Sequence, residues 1–126
     1  MYLIYIDDST EKPRYIFSAM AVPVARWNEA FGVLKVRRSH LKSVHGISPR
    51  HELHANSFVA GRGSLGAPGV VSKHVRSQIF QTSFQVMEHL SALDVRLFNV
   101  CHNGRQDWAF ERLLNRINTF MCSDPR

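Results

Sequence analysis

Met1-Tyr-Leu-Ile-Tyr-Ile-Asp7-Asp8-Ser9 is the stretch on which the fold reading turns. An apolar run opens at the first residue and stops at two adjacent carboxylates. Tyr2, Leu3, Ile4, Tyr5 and Ile6 are aromatic or aliphatic, the composition of a strand buried on both faces. A buried strand that ends in acids ends at a solvated rim, and in open α/β sheets that rim is where ligands and metals bind. The other reading of Asp7-Asp8-Ser9-Thr10 is a polar turn after an edge strand. Side chains alternate along a strand, so Asp7 and Asp8 are expected on opposite faces. Asp7, directly after the apolar run, is then the expected direct ligand, and Asp8 acts through water or supports the loop.

Outward from this strand, Ser9 to Pro13 is turn material, and Tyr15 to Val22 reads as a second strand, antiparallel to the first because the connection is short. From Val24 to Val44 the period becomes helical, with Trp27, Phe31, Leu34 and Leu41 near one face and Gly46 as the stop. Ile47 to Gly69 is irregular. Ser72 is the expected N-cap of a helix to Ala92, striped by Val75, Ile79, Val86 and Leu90. Asp94 to Cys101 reads as a third strand, His102-Asn103-Gly104 as a turn, and Trp108 to Met121 as a helix capped by Asp107. Phe110, Leu113, Leu114, Ile117 and either Phe120 or Met121 are expected to point inward from it. The fold class is α/β: a small mixed sheet with flanking helices, in one domain over 1–126. A strand followed by an apolar helix calls for one more strand, so the chain is expected to be the front part of a longer domain.

With 126 residues and 44% hydrophobic content, the chain can bury one core and not two. Sixteen Lys plus Arg against ten Asp plus Glu give a formal charge of +6, which makes nucleic acid an expected partner. No run is long enough to span a bilayer and no basic leader precedes the first apolar run, so a cytoplasmic protein without a membrane partner is expected. Cys101 and Cys122 lack metal-site spacing and are expected as reduced, buried thiols.

The strongest chemical combination is Asp7 and Asp8 with Glu52. Carboxylates from a strand end and a distant segment are the hard oxygen donors that Mg²⁺ or Mn²⁺ takes, and such ions support phosphodiester cleavage. In His51-Glu52-Leu53-His54, Glu52 and His54 share a side if the backbone is extended, so His54 is a candidate supporting or proton-transfer group. Zinc binding by His51 and His54 is a separate option, although the spacing is not that of HExxH. Gly61 to Gly66 formally fits GxGxxG but follows no apolar strand, so it is read as a loop carrying Arg62 toward phosphate. Arg50, Arg62, Lys73 and Arg76 flank Glu52 and are the candidate nucleic-acid contacts, with Arg37, Arg38 and Lys42 nearby. Solvated helix faces explain the same residues equally well.

Tyr5-Ile6-Asp7-Asp8-Ser9 resembles the Tyr-Ile-Asp-Glu-Ser-Gly opening of a large, mostly prokaryotic and phage domain-of-unknown-function family. The later Glu52-Leu53-His54 resembles that family's Glu-Leu-His or Glu-Leu-Lys motif. Thr10 stands where Gly is usual and Asp8 where Glu is usual. The resemblance implies a ribonuclease-H-like fold with a carboxylate metal site, in which Asp7 and Glu52 hold Mg²⁺ or Mn²⁺. It also implies a further strand ending in another Asp; Asp124, in a Ser-Asp-Pro tail, is a poor substitute. The expected function is a metal-dependent nuclease or nuclease-like protein. The competing expectation is a non-catalytic nucleic-acid-binding or protein-interaction module. Self-association into a homo-oligomer through an uncovered sheet edge is a further expectation.

Overall fold

In the computed structural model, residues 1–65 and 70–123 are described. Their elements run β1 (Tyr2–Glu11), β2 (Arg14–Pro23), a single tight turn of helix (Val24–Arg26), α1 (Trp27–His45), α2 (Ala55–Val59), α3 (Lys73–Ala92), β3 (Arg96–Asn103) and α4 (Gln106–Ser123). The protein is thus mixed α/β, with a three-stranded sheet and four α-helices among the described residues. Gly66, Pro68 and Gly69, at the end of the glycine-rich stretch, and Asp124 lie outside them. The chain groups into two compact units, one of 1–27 with 94–126, the other of 28–93.

The first unit holds the sheet. Its order is β1-β2-β3, antiparallel throughout the described strands, where the sequence suggested a mixed sheet. Tyr5 pairs with Met20 and Asp7 with Ser18, while Ser18 pairs in turn with Asn99. Both outer strands run longer than the apolar pattern suggests: β1 continues through Asp7 to Glu11, and β3 takes in His102 and Asn103, the expected turn. Pairing, not hydropathy, sets these ends, since every β1 residue from Tyr2 to Glu11 has a partner in β2.

One sheet face carries α4. Ala19, Val100, Leu113 and Ile117 form its buried cluster, with Phe17 and Phe98 against it. Ala109, Leu113 and Ile117 recur every fourth position, which places them on one helix face. Phe110, Leu114 and Met121 flank that stripe and stay partly exposed. β1 departs most from expectation. It is an edge strand, and Leu3, Ile4, Tyr5 and Ile6 are all exposed, so its apolar run is not that of a strand covered on both faces. Trp27 Nε1 donates to Tyr5 Oη at 2.9 Å.

The second unit is helical. Leu41, Ile47, Phe58, Leu65 and Ile79 make its core. α1 ends as expected at Gly46, whose φ of 69° is open to glycine at little cost, and the next amide, Ile47 N–H, donates to the Leu41 carbonyl. Ser72 caps α3 as expected, its hydroxyl accepting from Val75 N–H. Arg76 is 5% exposed and organises the loop before α3: Nε donates to Val71 O, Nη1 to Arg62 O and Nη2 to Gly63 O. Arg38 does similar work on the loop after α1, donating to the Ser48, Pro49 and His51 carbonyls. α3 ends at Ala92 with Leu93 as its C-cap, and Asp94 takes a φ of 59°, a left-handed turn that aspartate tolerates, before β3 starts at Arg96.

Candidate functional site

Strand register fixes the surroundings of Asp7 and Asp8. Directly opposed residues in antiparallel strands share a face. Asp8 pairs with Phe17, and Phe17 with Val100, so Asp8 lies on the face that carries α4. Asp7 pairs with Ser18, and Ser18 with Asn99, so these three make a polar row across the other face. The rows beside it are mainly apolar: Tyr5, Met20 and Leu97 on one side, Ser9, Ile16 and Cys101 on the other. Both acids are exposed, and neither is ion-paired among the described residues. Alternation along β1 therefore separates the two carboxylates, as expected, and gives Asp7 the neighbours with oxygen donors.

Ser18 and Asn99 were not among the residues singled out from the sequence. The signal was present: each is a polar residue with an apolar residue on either side in sequence. Only the register shows that both align with Asp7.

Glu52 and His54 belong to the helical unit. His54 itself is extended, with φ −70° and ψ 111°, where it precedes α2. Residues two apart in extended backbone share a side, and Glu52 Oε2 lies 3.4 Å from His54 Nε2. Both side chains are well exposed, at 80% and 70%. His51 is held differently, its carbonyl accepting from Arg38. Asp7 and Glu52 thus come from different units, each with its own polar neighbours. Among the described residues, no group of three or more His, Cys, Asp or Glu is arranged to hold a metal ion.

The expected phosphate contacts divide. Arg50, Arg62 and Lys73 are exposed. Arg76 is not: it is buried, and all three guanidinium nitrogens donate to backbone carbonyls. It is a loop post rather than a surface cation. Arg37 was read with the basic cluster, yet its Nη2 reaches across to α3, donating to Ile79 O at 2.9 Å and Thr82 Oγ1 at 2.7 Å. Cys101 and Cys122 are free and exposed, not buried as expected, because each falls outside the stripe its element packs. No helix among the described residues is long and apolar enough to cross a membrane.

The donor set fits a hard divalent cation in kind. Asp7 is an exposed carboxylate with a hydroxyl and an amide as row neighbours, and Glu52 is an exposed carboxylate steadied by an imidazole. Zinc would favour nitrogen and sulfur ligands in a closed set, which His51 and His54 alone do not supply. Comparison with family models, with curated proteins and with solved structures gave no match.

Proposed function

We propose that this protein is a Mg²⁺- or Mn²⁺-dependent nuclease, or nuclease-like protein, of ribonuclease-H-like fold, acting on nucleic-acid phosphodiesters. The observation that carries the proposal is the Asp7–Ser18–Asn99 row: a carboxylate without an ion pair among the described residues, with Ser18 opposite it, Asn99 next in line on the following strand, and mainly apolar rows on either side. In this reading Asp7 and Glu52 hold the ion, Asp8, on the opposite sheet face, gives only indirect support at the strand, and His54 supports Glu52. A bound divalent ion would supply a Lewis acid and a water of lowered pKa. Asp7 contributes charge without a competing protein cation. His54 can orient the Glu52 carboxylate or carry a proton to and from it, across 3.4 Å. Exposed Arg50, Arg62 and Lys73 would attract the phosphate backbone, in line with the +6 charge. The fold half of the proposal calls for one more strand, and β1, the acid-bearing strand, has an open edge among the described residues.

A cleavage assay with Mn²⁺ and single-stranded and duplex substrates tests it. Wild type should cleave, Asp7→Asn should fall to background, and Asp8→Asn should keep most of the activity because Asp8 faces the other way. Equal rates for wild type and Asp7→Asn would overturn the proposal.

A second reading, a non-catalytic nucleic-acid-binding or interaction module, draws on one observation: no trio of metal-ligating side chains is assembled among the described residues. It predicts binding that weakens with salt and ignores divalent ions.

A further inference from the structure

The helical unit contains a charged group that its surroundings do not balance. Among the described residues, the side chain of Arg37, on α1, hydrogen-bonds through Nη2 to neutral acceptors: Ile79 O, Thr82 Oγ1 and Ser83 Oγ. Its Nε is buried and has no hydrogen-bond partner among the described residues. It forms no ion pair among the described residues. Guanidinium stays charged in proteins. A partly desolvated cation without a counter-charge is costly, and an anion beside it recovers that cost. Burial alone pulls the Arg37 pKa below its ordinary value, which fits a cation lacking a carboxylate neighbour.

Arg37 lies where two adjoining clefts meet between α1 and α3. Both are lined by Arg37, His40, Thr82 and Gln85. The larger, about 500 Å³, also has His89 and the apolar walls Val33, Val36 and Val86. The smaller, about 300 Å³, adds His45 and Gln78. Among the described residues, no carboxylate lines either cleft. The donors come from two facing stripes. On α1, Val33, Arg37 and His40 recur at helical spacing; on α3, Gln78, Thr82, Gln85 and His89 do the same. Imidazole and amide donors around an unbalanced guanidinium are the chemistry that recognises a tetrahedral oxyanion, while the Thr82 hydroxyl, bonded to the Gln78 and Ile79 carbonyls, steadies Arg37.

We infer that the α1–α3 cleft is a phosphate-binding site, with Arg37 as the fixed charge and His40, His89 and Gln85 as rim donors. It does not rest on the metal-site reading, because no divalent ion enters it. The phosphate can come from a nucleic-acid backbone or from a small phosphorylated ligand, and the two sources separate by experiment.

The test is an amide NMR titration of the full chain without divalent metal, using inorganic phosphate in one arm and a short single-stranded DNA in the other. Saturable shifts confined to His40, Thr82, Gln85 and His89 are expected. The His40→Gln/His89→Gln variant changes two exposed side chains and should weaken binding about tenfold while its spectrum stays folded. Arg37→Lys keeps the charge but loses the fork, and should weaken binding as well. Shifts with DNA but weak ones with inorganic phosphate would support the site and assign it to backbone phosphodiesters; the reverse would support it for a small ligand. Three outcomes overturn the proposal: no shift at these residues, non-saturable shifts spread over Arg50, Arg62 and Lys73, or unchanged affinity in the His variant. Because metal is absent throughout, such a failure leaves the nuclease reading untouched, and failure of the cleavage assay leaves this site standing.

Discussion

Asp107 sits in the first turn of α4 with its carboxylate held by Arg105, whose Nε donates at 3.0 Å and whose Nη2 makes a second bond. Arg105 also stacks over the Trp108 ring, 4.7 Å from its centroid. The Arg105 hydrogen bonds, the Trp108 amide and the Arg105 charge together hold the Asp107 pKa below the ordinary aspartate value. A depressed carboxylate pKa favours the folded state above the unfolded pKa, and that contribution is lost as pH falls through the folded value. An NMR titration should find the Asp107 midpoint below that of an ordinary aspartate, and Arg105→Gln should raise it. A wild-type midpoint at the ordinary value would contradict the pairing. From the sequence Asp107 reads as the helix cap, because a carboxylate before an apolar stripe commonly is one; Arg105, two residues earlier, draws it into a different role. Asp7 and Asp8 are more legible. Alternation alone assigns them to opposite faces, but it cannot name Ser18 and Asn99 as neighbours, since that depends on which residue pairs with which.

At the scale of elements, α3 shows what local pattern can and cannot reveal. Its start at Ser72 and its span to Ala92 follow from a capping side chain and the apolar stripe from Val75 to Leu90. Arg76 carries no such signal. In sequence it is one basic residue among many; in the fold it ties Val71, Arg62 and Gly63 together. Arg76→Met should therefore lower stability by about 3 kcal/mol, because it strands buried carbonyls that lose a charged donor. Urea unfolding checks this: the midpoint should fall with little change in slope, and an unchanged midpoint would contradict the post role. α2 escaped the sequence reading because five residues are too few to show a period. β1 was legible as a strand but not as an edge. Its aromatic and aliphatic run suggests burial on both sides, yet apolar strands with tyrosines can also line an exposed edge, and neighbour order is not written in one strand's composition.

At the scale of the whole molecule, the chain leaves its sheet unit after β2, builds the helical unit, and returns to the sheet as β3 and α4. The order of elements was readable from periodicity and punctuation, apart from α2. The division into two units was not, because it depends on which apolar faces meet, and Leu41 and Val100 look alike in sequence although they serve different cores. That division gives the functional account its sharpest demand: Asp7 and Glu52, from different units, must serve one ion. Titration with Mn²⁺, followed by paramagnetic broadening of backbone amides, asks this directly. The account predicts that Asp7, Ser18 and Glu52 broaden together with one shared dissociation constant, and that Asp7→Asn abolishes the effect at Glu52 as well. Broadening at Glu52 that persists unchanged in Asp7→Asn, or separate titration of the two regions, would contradict it.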